Sequence, residues 1–246
     1  MAIQGKLTRE NMAHTMAADA PAYQLKPFHY RGARMYRFEY ETDPEAAADL
    51  IPAQLTLTEP VSACLMFFEY PWSTIGPYKE AILSVNVAYK GEPFQYLAHL
   101  LLDSNVPILV GREIYGLPKK MGSIEFTREG DVVAGYAERP EGIRICSGVF
   151  RTESPLESPP DGTPLRFIGL RTIPSPEKGE DHSHVELIQT DGILSSIEMW
   201  AGTGSCHFPG ISVFDPWHKL PVKRMLSTTF MTTNIILSEG KVLESL

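Results

Sequence analysis

Lys119 and Lys120 stand side by side in "VPILVGREIYGLPKKMG" (106–122), at the end of a stretch that otherwise reads as core. Neighbours in an extended segment point to opposite faces, so a regular strand sends the two amines into different surroundings. A wet turn is the commoner home of a Lys-Lys pair. The alternative is chemically richer. An amine carried into an apolar interior loses hydration, which disfavours its ammonium form, and a neutral amine attacks carbonyl carbon. Two carboxylates are the other candidates. Glu69 and Glu80 lie near the ends of two apolar segments joined by the Gly/Pro/Trp-rich "PWSTIGPYK". Such ends can line a pocket, although solvated loop acids are the simpler reading.

Other clusters carry less. Asp181, His182 and His184 sit in the charged "PEKGEDHSHVE" without a third well-spaced ligand, so no metal is expected. "GTGSCHFPG" (202–210) is not GxGxxG and lacks a strand–glycine–helix setting, so no dinucleotide cofactor is expected. Cys206 and His207 are adjacent, which puts them on opposite faces of a strand.

The elements that must position these groups are mostly strands. "ARMYRFEYET" (33–42) alternates, and "TDPEAAADLIP" predicts a short helix capped by Thr42 or Asp43 and ended by Pro52. Strands are expected at 62–70, 81–89, 94–103 and 106–116. Residues 122–150 read as short strands turned at "REGD" and "RPEG". Further strands are expected at 165–175, 184–192 and 192–205, with a last strand or bent pair over 221–237. The Pro-rich "ESPLESPPDGTP" (153–164) reads as a surface excursion. Many strands and few helices predict a β-rich α+β fold, a central antiparallel barrel with peripheral helices. Residues 1–26 read as an N-terminal arm and 27–246 as a single domain.

Composition sets the outer limits. The chain has 246 residues, 43% hydrophobic and 21% charged, with net charge −8. That is ordinary globular composition, and the acidic balance argues against a nucleic-acid partner. No stretch approaches a membrane-spanning helix. Three scattered cysteines, Cys64, Cys146 and Cys206, fit neither a disulfide framework nor zinc and point to the cytoplasm.

"VGREIYGLPKKMG" resembles the active-site segment of the acetoacetate decarboxylase family. "YETDPEAAADLIPAQLTLTEP" (40–60), "WAGTG" (200–204) and "LPVKRMLSTTFMTTNIIL" (220–237) are also similar to family segments, in the same order. The resemblance covers roughly residues 27–246 and implies a barrel or cone, no cofactor, a small keto-acid substrate and a homo-oligomer. It implies that Lys119 forms the Schiff base, that Lys120 is the neighbouring cation proposed to tune it, and that Glu80 is an active-site glutamate. Arg112 and Glu113 match a Gly-Arg-Glu element read as scaffold. Two positions depart from the pattern. A second glutamate falls on Leu65, with Glu69 four residues on along the same face. The arginine that binds the substrate carboxylate falls on Ala33, with Arg34 and Arg31 close by. The implied activity is decarboxylation of a β-keto acid. The same imine would also serve an aldolase–dehydratase acting on pyruvate or another 2-oxo acid. An inactive ligand-binding barrel is the alternative outside enzymes. Apolar Leu65, Phe67 and Trp72, if they face the pocket, would suit a larger partner.

Overall fold

The structure is a computed structural model and describes residues 2–246. Residues 2–27 contain no helix or strand. They lie against the rest of the chain through Thr15 and Tyr23, whose hydroxyls donate to Glu113 at 2.8 and 2.6 Å.

In chain order, β1 (Phe28–Glu41), α1 (Pro44–Ala48), β2 (Thr56–Leu57), β3 (Ser62–Tyr70), β4 (Trp72–Ser73), β5 (Tyr78–Tyr89) and β6 (Glu92–Leu102) come first. Then follow α2 (Asn105–Tyr115), β7 (Lys119–Met121), β8 (Ser123–Glu129), β9 (Val132–Glu138), β10 (Arg144–Leu156), β11 (Pro164–Pro174), β12 (His182–His207) and β13 (Arg224–Ser245). Seven strands close into a ring in the order β11-β6-β5-β3-β1-β13-β12, and β12 pairs back onto β11. Past the ring, β12 also pairs with β10, which leads to β9 and β8. Each face of the ring strands carries its own apolar core. On one, Phe38, Leu65 and Phe67 pack with Phe126 and Phe150 of the β10-β9-β8 extension. On the other, Tyr30, Phe68, Tyr78, Leu100 and Ile235 cluster together. Among the described residues no helix is long and apolar enough to cross a membrane.

The β-rich barrel agrees with the sequence reading, with four differences. The run expected as a strand at 106–116 lies in α2 up to Tyr115. Its buried residues Pro107, Val110, Gly111 and Tyr115 recur at helical spacing, and Gly116 ends it in the left-handed region at φ 66°. A short apolar run fits both periods, so pattern alone does not separate them. Topology decides: β6 and β7 pair in parallel, and a parallel pair needs the crossover that α2 supplies. The ring is therefore not wholly antiparallel, since β6 also runs parallel to β11. The expected break at Gly192 is absent as well. Residues 182–207 run on as one strand, with register irregularities between Thr190 and Gly192 and between Ser195 and Glu198. Asp43 caps α1, its carboxylate accepting from the backbone N–H groups of Glu45 and Ala46 at 3.1 Å each, but the helix stops at Ala48, short of Pro52.

Candidate active site

Lys119, the candidate nucleophile, is positioned by a helix end and a three-residue strand. After Gly116 the chain reverses, and the Leu117 N–H donates to the Gly111 carbonyl at 2.9 Å. β7 then lies beside β6, with Lys119 opposite Leu100 and Lys120 opposite Leu101. Leu100 and Leu101 belong to different cores, so the strand period separates the two amines. Lys119 is buried at 7% exposure. Its stem lies flat on α2 at Gly111, where a side-chain Cβ would meet Lys119 Cδ at 2.5 Å and Cε at 2.7 Å. Arg112 donates to the Lys119 carbonyl at 3.3 Å, and Glu113 accepts from Thr15 and Tyr23, so both residues brace this turn.

Lys120 turns away. Its ammonium donates to the Phe214 carbonyl and lies 3.1 Å from the Asp215 carboxylate, which also accepts from Arg139 at 2.6 Å. Asp215 is buried, and its two cations are each about one-third exposed. The charge of Lys120 is thus balanced outside the cavity that holds Lys119.

Glu80 on β5 sits between Phe68 of β3 and Leu102 of β6 in the strand register and is 2% exposed. Its Oε1 lies 2.8 Å from Lys119 Nζ. The approach lies off the hydrogen-bonding direction, and Oε1 has no other partner. The pair is a close charge contact in an apolar setting, with its bonding capacity unfilled. Burial without full compensation costs such a pair stability, which marks it as a candidate functional pair.

Around the pair is a cavity with about 540 Å³ free of protein atoms, its solvent-open part included. Every strand of the ring contributes to its wall, which places it inside the ring. Tyr30, Tyr70 and Tyr78 form an aromatic cluster there, with Tyr70 and Tyr78 4.5 Å apart by ring centroid. Lys119 Nζ is 5.6 Å from the Tyr78 ring centre. Burial raises all three phenols above their ordinary range, and the nearby Glu80 charge adds to the effect. Their hydroxyls therefore keep their protons at neutral pH and can donate. The Thr190 hydroxyl is buried in the same wall without a partner.

The expected substrate-binding residues are elsewhere. Leu65 is on the opposite face of β3, fully buried in the other core, and Phe67 accompanies it. Glu69 shares that face, so a four-residue slip from Leu65 leads to the wrong side; it pairs with Arg128 and, at 3.8 Å, with Arg34. Arg34 is half exposed, Arg31 bonds only the neighbouring Tyr30 carbonyl, and Trp72 is 52% exposed. None of these lines the cavity. Ala33 is buried in the same core as Tyr30 but also lies outside the lining. Tyr70 and Tyr78 were legible by alternation from Glu80, since residues 78 and 80 share a face and Tyr70 pairs with Tyr78. Tyr30 and Thr190 reach the site only through ring closure, which no local pattern reveals. Asp181, His182 and His184 lie at the exposed start of β12, away from this cavity.

A closed β-ring holding one amine, one carboxylate and protonated hydroxyls among apolar walls is competent for imine-forming lyase chemistry. Comparison with known proteins agrees. The profile of the family described as Acetoacetate decarboxylase (ADC) matches residues 13–246, and the chain belongs to that family. It is 35% identical over 236 residues to acetoacetate decarboxylase 1 of Bradyrhizobium diazoefficiens, covering 94% of this chain and 92% of the relative. It is 32% identical over 237 residues to decarboxylase DEC1 of Cochliobolus heterostrophus, covering 94% of each. The solved acetoacetate decarboxylase of Legionella pneumophila is 25% identical, with a TM-score of 0.82 and coverage of 100% of this chain and 99% of that one.

Proposed function

We propose that the chain decarboxylates a β-keto acid through an imine on Lys119. The observation that carries this is the buried Lys119–Glu80 pair, 2.8 Å apart inside an apolar ring. Lys119 adds to the ketone and water leaves, giving a protonated imine. The bond to the carboxylate then breaks, its electron pair moves toward the imine nitrogen, and carbon dioxide departs. The resulting enamine takes a proton at carbon, and water releases the ketone and restores the amine. The balance is R–CO–CH2–CO2⁻ + H⁺ → R–CO–CH3 + CO2. Glu80 is the one carboxylate in the cavity wall, and its contact with Nζ suits it to take the lysine proton and return one to the enamine. Lys120 acts as a tether to the Asp215 loop in this reading.

The proposal includes an arm at 1–26, one domain at 27–246, and a cytoplasmic location, the last supported by three buried free thiols. It also includes a homo-oligomer. Exposed Ile3, Leu7 and Met16 on the arm, and Ile211, Val213 and Phe214 on a loop, are apolar surface of the kind that association covers. The test is product analysis with acetoacetate alone and with pyruvate plus an aldehyde. Carbon dioxide and acetone from the first supports the proposal. A condensation product from the second, with nothing from the first, replaces it with aldolase–dehydratase chemistry. No product from either leaves a ligand-binding barrel.

A further inference from the structure

Among the described residues, Lys119 is the one cation and Glu80 the one anion in the cavity wall. Arg31 and Arg34, the nearest arginines by sequence to the family's carboxylate position, lie outside this wall, and Arg34 lines a separate, more open cleft with Glu69. Away from the pair, the wall is built from Leu97, Leu100, Leu165, Phe167, Ile235 and Leu237, with Thr190 as its single polar side chain on β11, β12 and β13. Leu165, Phe167 and Leu237 remain only partly buried although they pack on the core, so they keep apolar surface uncovered. A short β-keto acid with only a methyl beyond its ketone would gain little from such a wall. Its carboxylate would meet phenol and threonine hydroxyls in place of a guanidinium.

From this cavity, and resting on the decarboxylase reading, we infer that the substrate is a β-keto acid whose ketone carries an extended apolar chain. The chain lies against the Leu165–Phe167–Ile235–Leu237 wall and supplies the binding energy. The carboxylate is left without an arginine partner. That arrangement suits the reaction, because the carboxylate loses its charge as carbon dioxide forms. A strong cation partner would hold the ground state more tightly than the transition state. Binding through the remote chain offsets the desolvation of the reacting end.

The test is a straight-chain series of acetoacetate, 3-oxohexanoate and 3-oxooctanoate, with kcat/KM for carbon dioxide release from the intact chain. Each buried methylene is expected to raise kcat/KM about fourfold, so each added pair raises it roughly sixteenfold. Values that stay level or fall along the series overturn the inference while the decarboxylase reading stands. Release from no member overturns both. Phe167→Ala should cut the preference for 3-oxooctanoate over acetoacetate about tenfold. An unchanged ratio in a folded variant also overturns the inference.

Discussion

Gly111→Ala gives a sharp test of how Lys119 is held. The added Cβ would stand 2.5 Å from Lys119 Cδ, 2.7 Å from Cε and 3.2 Å from Cγ. Carbon atoms ordinarily rest about 3.5–4.0 Å apart, so the stem must move by about 1 Å. A lysine on the surface would swing aside at little cost. This one itself lines the cavity and has Glu80 at its tip, so a shift of the stem into the cavity carries the amine away from Glu80. Misplacement by about 1 Å can cost roughly 100-fold in rate. Stability should change less. Alanine gains about 1 kcal/mol over glycine inside a helix, against about 1–3 kcal/mol for overpacking. The assay is initial-rate carbon dioxide release beside urea unfolding. The expected result is kcat down about 100-fold, with stability within about 2 kcal/mol of the parent. A folded Gly111→Ala protein with kcat within threefold of the parent would refute the packing argument.

Other expectations can be checked with the same assays. Lys119→Met should abolish turnover and leave Glu80 buried without its cation, costing about 3–5 kcal/mol in urea unfolding if the carboxylate stays charged. Adding Glu80→Met should recover most of that loss without restoring activity, and no recovery would show that the pair is not coupled. Asp215→Asn removes the carboxylate that gathers Lys120 and Arg139, and should lower stability by about 2 kcal/mol while reducing kcat less than Gly111→Ala does. Alkaline pH should destabilise the fold. Burial pushes the Cys64 thiol up to about 11 and Cys206 up to about 12, against 9.0 for an ordinary thiol. Above pH 9 the unfolded chain loses these protons first, so stability falls by about 1.4 kcal/mol per pH unit for each thiol until the folded thiol ionises. Urea midpoints measured from pH 8 to 10.5 should decline, and a flat profile would contradict the burial of these groups.

Local chemistry made some of this protein readable before its fold was known. β3 runs from Ser62 to Tyr70, as its apolar run predicts, and Asp43 caps α1 as its place before Pro44 suggests. The different surroundings of Lys119 and Lys120 follow from the two-residue period of a strand. What stayed hidden depends on distance in sequence. The 106–116 run is apolar in either period, and only the parallel β6–β7 pairing makes it a helix. Leu65 and Glu69 share one face of β3, but which face meets the cavity depends on how the ring closes through β11 and β12. For the same reason, Arg34 looks available from its position but pairs in register with Glu69, on the face away from the cavity.

The central claim is that a ketone becomes covalently attached to Lys119. Borohydride reduction in the presence of a β-keto acid, followed by peptide mass mapping, tests it directly. The account predicts one reduced adduct, on Lys119, and none on Lys120. An adduct confined to another lysine, or none while the protein still releases carbon dioxide, would contradict it.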